Sequence, residues 1–190
     1  MPAKSIQELV TWLKANPKEA NCGMAAPGSE GHLLAYAFSR ATGTNLNFVG
    51  YKGGAPMTQD LVAGHLPMAF DPIVNQIGPH NSGRVRVLAV SSAARAEALP
   101  RIPTFGELGY KEVTGDTWIG IAVPRGTPKE RIAELNKVFS LAAEAGDVKA
   151  RLAQVGLTTR PGSPEEMAQL ISADTERWGA LVKALGLRLD

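Results

Sequence analysis

The sequence predicts an α/β protein built on a mostly parallel sheet, and three observations carry that expectation. Short apolar segments alternate with helical patterns as far as about residue 91, the signature of βαβ units. Four Ser/Thr-x-x-Glu boxes, beginning at Ser5, Thr104, Thr127 and Ser163, open helical segments; such a box ties down amides that lack partners at a helix start. Two apolar strands run straight into glycine-rich turns that lead into helices, at 21–32 and 48–56.

Taken in chain order, Ser5-Ile6-Gln7-Glu8 opens the first helix, with Ile6, Leu9, Val10 and Leu13 on one face and Asn16-Pro17 at its end. Strands are expected at 21–24, 46–51, 66–70, 85–91, 118–123 and 157–160. Leu33, Leu34, Ala37, Phe38 and Ala41 recur at helical spacing after the first strand. Thr104-Phe105-Gly106-Glu107 opens a short helix closed near Gly109, inside an irregular stretch from 101 to 117. Thr127-Pro128-Lys129-Glu130 opens a longer one carrying Ile132, Leu135, Val138 and Phe139. Ser163-Pro164-Glu165-Glu166 opens the last, whose buried stripe is expected at Met167, Leu170, Ile171, Trp178, Leu181 and Val182. The segment 118–123 reads as a crossing into a second packing unit.

Composition narrows the function. At 190 residues the chain can bury a substantial core. A formal charge of +2 is near neutral and argues for neither a nucleic-acid footprint nor an electrostatic membrane contact. Cys22 is the single cysteine, so no internal disulfide and no cysteine metal cluster is possible. No apolar run reaches membrane-spanning length, and the first residues do not read as a secretory signal. His65 and His80 fall in loop-like contexts without metal-ligand spacing, so no metal and no cofactor are expected.

The candidate chemistry lies in the two junctions. In Phe48-Val49-Gly50-Tyr51-Lys52-Gly53-Gly54-Ala55-Pro56 the glycines permit positive φ and close approach, and proline at a helix start loses no amide bond. Such a junction presents N–H groups at a positive helix end, a seat for an anion. Gly23, Ala26, Gly28, Ser29 and His32 form a second junction of similar design, which also reads as a plain βα turn. Glu30 there suits the helix start but competes with an anionic guest. Ser29 and His32 also admit a hydrolase reading, yet Pro27-Gly28-Ser29-Glu30-Gly31 is not a Gly-x-Ser-x-Gly elbow. Asp71, after Phe70 at a strand's carboxyl end, reads equally as a hydrogen-bond acceptor for a ligand amine or hydroxyl and as an N-cap. Asp60 reads as part of a solvated helix face.

Taken together, Tyr51-Lys52-Gly53-Gly54-Ala55-Pro56, Phe70-Asp71, Leu88-Ala89-Val90-Ser91, Leu99-Pro100, Pro103-Thr104, Trp118-Ile119-Gly120, Pro124-Arg125-Gly126-Thr127-Pro128 and Trp178 resemble, in this order, the Bug (TctC-like) solute-binding proteins of tripartite tricarboxylate transporters. The resemblance runs from about Pro2 to Leu187. It implies a periplasmic binding protein type II-like clamshell, in which small carboxylates are held between two lobes by backbone amides of strand-to-helix loops. Carried over, the loop 23–32 places Gly28 and Ser29 at amide positions, and Gly53, Gly54 and Asp71 match further contacts on the same lobe. Met24 and Ala26 stand where the family usually has smaller or more flexible residues, and Pro27 removes one possible amide donor. The resemblance further implies one complete lobe over 1–117 and, over 118–190, the returning part of a partial second lobe, without the family's signal peptide and opening strands.

The leading expectation is therefore a non-enzymatic carboxylate-binding protein, or a truncated remnant of one. By resemblance it is periplasmic and partnered by membrane transporter subunits. An unpaired remnant of a lobe would also favour a homo-oligomer. The alternatives are a degenerate fragment acting as an oligomerising interaction module without ligand and, behind it, the Ser29/His32 hydrolase. A regulator's effector-binding domain shares the general fold, but no DNA-reading segment is present.

Overall fold

Strand β1 (Asn21–Met24) is the middle of a three-stranded sheet, with β2 (Asn47–Gly50) on one side and β3 (Met68–Ala69) on the other. Both neighbours run parallel to β1, with Cys22 opposite Phe48 and Met68, and Gly23 opposite Val49 and Ala69. The computed structural model describes residues 2–185; Met1 and residues 186–190, the tail of the expected 118–190 segment, lie outside the described residues. The backbone separates into two compact units, the first reaching Thr117 and the second beginning at Trp118.

In the first unit, helix α1 (Ile6–Ala15) buries Ile6, Leu9 and Leu13, while Val10 is half-buried. The Ser5 hydroxyl accepts from the Glu8 amide at 3.2 Å, and the Glu8 carboxylate accepts from the Lys4 amide at 2.7 Å. Helix α2 (Glu30–Thr42) follows β1 and ends at Gly43, whose φ of +63° is the left-handed cap that glycine adopts without strain. Helix α3 (Gly54–Ala63) follows β2, and α4 (Ile73–Asn81) follows β3. His80 thus ends a helix rather than lying in a loop, and its Nδ1 accepts from the Val87 amide at 3.2 Å.

Within a largely aliphatic core, this unit carries one aromatic cluster. Phe38 of α2 is fully buried, with the rings of Phe70 and Phe105 at 5.7 Å and that of Tyr110 at 6.1 Å. Phe70 and Phe105 stack on each other at an interplanar angle of 12°. Such contacts add to what the buried area alone contributes.

The expected strand 85–91 does not join the sheet. It makes a single bridge, Val90 to Thr104, with the Phe105 amide donating to the Val90 carbonyl at 2.9 Å. The Val87 amide is already taken by His80, so the segment cannot form a full ladder. The Thr104 box forms in both directions, at 2.7 and 3.0 Å, but it closes a turn rather than a helix. Gly109, with φ +90°, ends that turn. Glu107 is held further by Arg95, a forked pair at about 3.0 Å that keeps its carboxyl below the usual range.

The second unit carries α5 (Lys129–Glu144), α6 (Gly146–Gln154) and α7 (Pro164–Leu185). The Ser163 box forms reciprocally, at 2.7 and 3.1 Å. The Thr127 box does not. Its hydroxyl donates instead to the Pro124 carbonyl at 2.8 Å, and α5 starts behind Pro128 without a side-chain cap. Neither 118–123 nor 157–160 is a strand, because no strand among the described residues of the unit pairs with either. Trp118 turns toward α7, its indole donating to Asp174 at 2.6 Å, while Ile119 and Ile121 are 86% and 63% exposed. The expected stripe of α7 is half-buried except Ile171, which is exposed, and no described residue from 118 onward is fully buried.

Truncating Phe38 to alanine removes the centre of the aromatic cluster and should cost about 3–5 kcal/mol. Urea unfolding followed by tyrosine and tryptophan fluorescence measures it; a loss under about 1 kcal/mol would show that the cluster does not hold the unit together.

Candidate functional site

Parallel pairing on both sides of β1 puts the carboxyl ends of all three strands at one edge. The chain passes from β1 to β2 on one flank and then crosses to β3 on the other, so the strand order reverses at β1. In open α/β sheets ligands bind at such a reversal, beyond the carboxyl ends. Three loops meet there, 25–29, 51–53 and 70–72. The Tyr51 and Gly53 amides donate to the carbonyls of Met24 and Ala25 at 2.9 and 3.0 Å, joining the first two loops. A Cβ on Gly31 would stand 2.6 Å from the Phe70 carbonyl oxygen, so glycine lets α2 approach the third loop.

Most of the expected site residues lie at this edge, each in a definite role. Gly23 is inside β1, where a Cβ would meet Leu66 and Met57 at 2.5 and 2.9 Å; it serves packing. Ala26 is exposed in the first loop. The Gly28 amide donates to His32 Nδ1 at 3.1 Å, and the Ser29 amide to the Ala26 carbonyl at 3.2 Å, so both amides are engaged inside the loop. Ser29 caps α2, its hydroxyl accepting from the His32 amide at 3.4 Å.

His32 is buried with its ring edge against Phe48, 4.7 Å between centroids, and burial pushes its pKa down. Its Nδ1 accepts from Gly28 and its main chain, not its ring, meets Ser29. That geometry makes it a helix-start histidine and does not build a serine–histidine pair. Glu30, in the first turn of α2, accepts a hydrogen bond from the Thr117 hydroxyl.

On the second loop, Gly53 has φ +105° and precedes α3, which no side chain caps. The Tyr51 hydroxyl donates to Asp60 at 2.8 Å; burial first, and then that carboxylate, push the phenol up. Asp60 is therefore a partner of Tyr51, with His65 at 3.5 Å, rather than a solvated face. On the third loop Phe70 belongs to the aromatic core, and Asp71 does not cap α4, whose N-cap position is Pro72.

Asp71 instead accepts from Gln76 Nε2 at 2.7 Å, and the same nitrogen donates to Thr58 Oγ1 at 2.9 Å. Gly54 permits this packing: its Cβ would lie 2.5 Å from Asn75 Nδ2 and 3.3 Å from Asp71 Oδ1. Thr58, Asn75 and Gln76 escaped the sequence reading; the only signal was two amides following an acid at a helix start. A cavity of about 490 Å³ lies elsewhere, between the start of α1, the end of α4 and residues 98–103, and shares no lining residue with the three loops.

A family profile described as "Tripartite tricarboxylate transporter family receptor" matches residues 1–187. The chain belongs to this family. Protein BugT of Bordetella pertussis is 31% identical over 185 residues, covering 97% of this chain and 57% of its own length. Among solved structures, Rpa4515 of R. palustris with adipate superposes with a TM-score of 0.89 at 31% identity, over 98% of this chain and 62% of that one. The periplasmic binding protein BugD gives 0.87 at 29% identity, over 99% and 64%. The fold is thus part of a periplasmic solute-binding fold, and the chain spans a little over half the length of the curated relatives it matches.

Burial holds the Asp71 carboxyl above its ordinary range, countered by Gln76 and by the nearby Asn75 amide, which falls short of full hydrogen-bond geometry. The folded chain therefore keeps this proton to higher pH than the unfolded chain does. Stability from this group is full below the unfolded value, about pH 4, and declines as pH rises through the folded transition. Asp71→Asn should abolish that decline. Urea unfolding of both proteins from about pH 4 to neutrality checks it; superimposable pH profiles would refute the assignment.

Proposed function

We propose that this chain supplies one wall of a small-carboxylate site in a solute-binding protein, and that it performs no chemistry on its ligand. The observation that carries the reading is the convergence of three strand-to-helix loops at the reversal of strand order. There α3 begins behind Gly53 without a side-chain cap, and the first turn of α2 lies against the Phe70 carbonyl. Oriented helix-start amides favour an anion. The adipate of Rpa4515 supports a dicarboxylate as the ligand class. The amides of Gly28 and Ser29 are engaged within their loop, so α3 and Gly31 offer the more direct seat, with Tyr51, Gly53 and Gly54 around it.

In this reading residues up to Thr117 are the second lobe of a clamshell and those from Trp118 belong to the first lobe. The protein works in the periplasm with membrane transporter subunits, as its family description suggests. Isothermal titration against dicarboxylates, tricarboxylates and amino acids tests it, with this chain alone and with a first-lobe polypeptide taken from BugT supplied in trans. Binding of a carboxylate is expected, tighter in the complemented sample. Heat from no carboxylate in either sample overturns the reading.

The second unit favours a further proposal, a homo-oligomer. Ile119 and Ile121, with Val138, Phe139 and Leu141, leave apolar surface uncovered, and among the described residues no strand pairs with 118–123. Light scattering should show more than one copy per particle. A well-behaved monomer at high concentration would remove this proposal and the interaction-module reading with it.

A further inference from the structure

The cavity of about 490 Å³ between the start of α1, the end of α4 and residues 98–103 has a lining of one charge sign. Helix α4 begins at the third loop, and the cavity is at its other end, roughly 13 Å along the helix. Lys4, Arg86 and Arg101 all line it, and none of the described lining residues is acidic. None of the three cations forms an ion pair among the described residues. Glu8, next to the lining residue Gln7 in sequence, turns its carboxylate to the Lys4 amide at 2.7 Å instead.

Donors without acceptors gather at the same cavity. Arg86 Nη1 donates to the Ala3 carbonyl at 3.1 Å, which holds the guanidinium against the start of α1 and leaves its other N–H groups unmet among the described residues. The amides of Ile6 and Gln7, the first two of α1, find no acceptor there either. His80 Nδ1 accepts from the Val87 amide at 3.2 Å, so its proton sits on Nε2, a further donor. The wall at 98–103 is braced. Arg95, forked onto Glu107, donates to the Pro100 carbonyl at 3.2 Å, and the Ile102 amide donates to the Leu99 carbonyl at 3.0 Å. Val87, Leu88, Ile102 and Leu108 are only half-buried, so apolar surface remains for a guest to cover.

A bare oxyanion would answer the cations and leave that apolar surface wet, whereas a neutral hydrocarbon would leave the cations unanswered. A guest that meets both has one charged head and an apolar body. The volume, about 490 Å³, falls within the roughly 300–1,000 Å³ of small-molecule pockets. We propose that this cavity is a second ligand site, for an organic monoanion of the aromatic or short-chain aliphatic carboxylate class. The carboxylate takes the Arg86 guanidinium and the free amides of α1, Lys4 and Arg101 supply charge from their exposed positions, and the body lies on Val87, Ile102 and Leu108. The site is separate from the three loops and does not depend on the reading given for them.

Benzoate, acetate and benzyl alcohol separate the two requirements. Titrated into this chain and followed by amide NMR, benzoate should shift the resonances of Ile6, Gln7 and Ile102. It should bind about tenfold tighter than acetate, which lacks the body, or benzyl alcohol, which lacks the charge. Lys4 and Arg101 are exposed and unpaired, so the double variant K4Q/R101Q should unfold in urea as the unaltered chain does, yet bind benzoate about tenfold more weakly. Equal binding of the three probes, no shift at those amides, or shifts confined to Tyr51 and Gly53 overturns the second site. So does a K4Q/R101Q chain that keeps its full affinity for benzoate. A further measurement needs no variant: benzoate should weaken severalfold as salt rises from about 0.05 to about 0.5 M, and an affinity that ignores salt also sinks the proposal.

Discussion

Pairing of β1 on both of its edges is the constraint from which the candidate site takes its geometry. Because β2 and β3 both run parallel to it, three strands deliver their following loops to one edge, and three helices begin there. The strand has little room of its own. Gly23 leaves the space that Met57 and Leu66 fill, and Cys22 is so enclosed that burial pushes its thiol up to about 12. A side chain at 23 would press on α3 and on the approach to β3 together, displacing two of the three loops. The narrowness of one strand and the convergence of the loops are a single arrangement.

Interactions closed within a few residues were legible from the sequence. The boxes at Ser5 and Ser163 form because each pairs groups three or four residues apart, whatever the rest of the chain does. The box at Thr127 has the same letters, but Pro124 offers its carbonyl to the hydroxyl first. Strands were legible only where a neighbour exists: 21–24 pairs on both edges, whereas 118–123 has the right residues and no partner. A strand is a property of two segments, and sequence pattern describes one.

The site divides along the same line. Which residues stand at the sheet's edge followed from strand order and turn chemistry. How their polar groups are employed did not, because that depends on side-chain rotamers and on which donor arrives first. The imidazole of His32 occupies the amide that Gly28 was expected to present. Asp71 does not cap α4, and Gln76, five residues on, turns back to meet one of its oxygens. Both outcomes are matters of a few ångströms inside a loop whose location was already settled.

The contrast between the two units has a thermodynamic consequence. The large heat-capacity change of unfolding comes from apolar surface leaving a dry interior. Every fully buried apolar side chain of the described residues falls between Ala3 and Val113, and none lies in the second unit. The described residues from Trp118 onward therefore lengthen the chain while adding little to the calorimetric signature of its melting. A protein of 190 residues would display a heat-capacity change close to that of its first 117, and so a lower value per residue than its length implies.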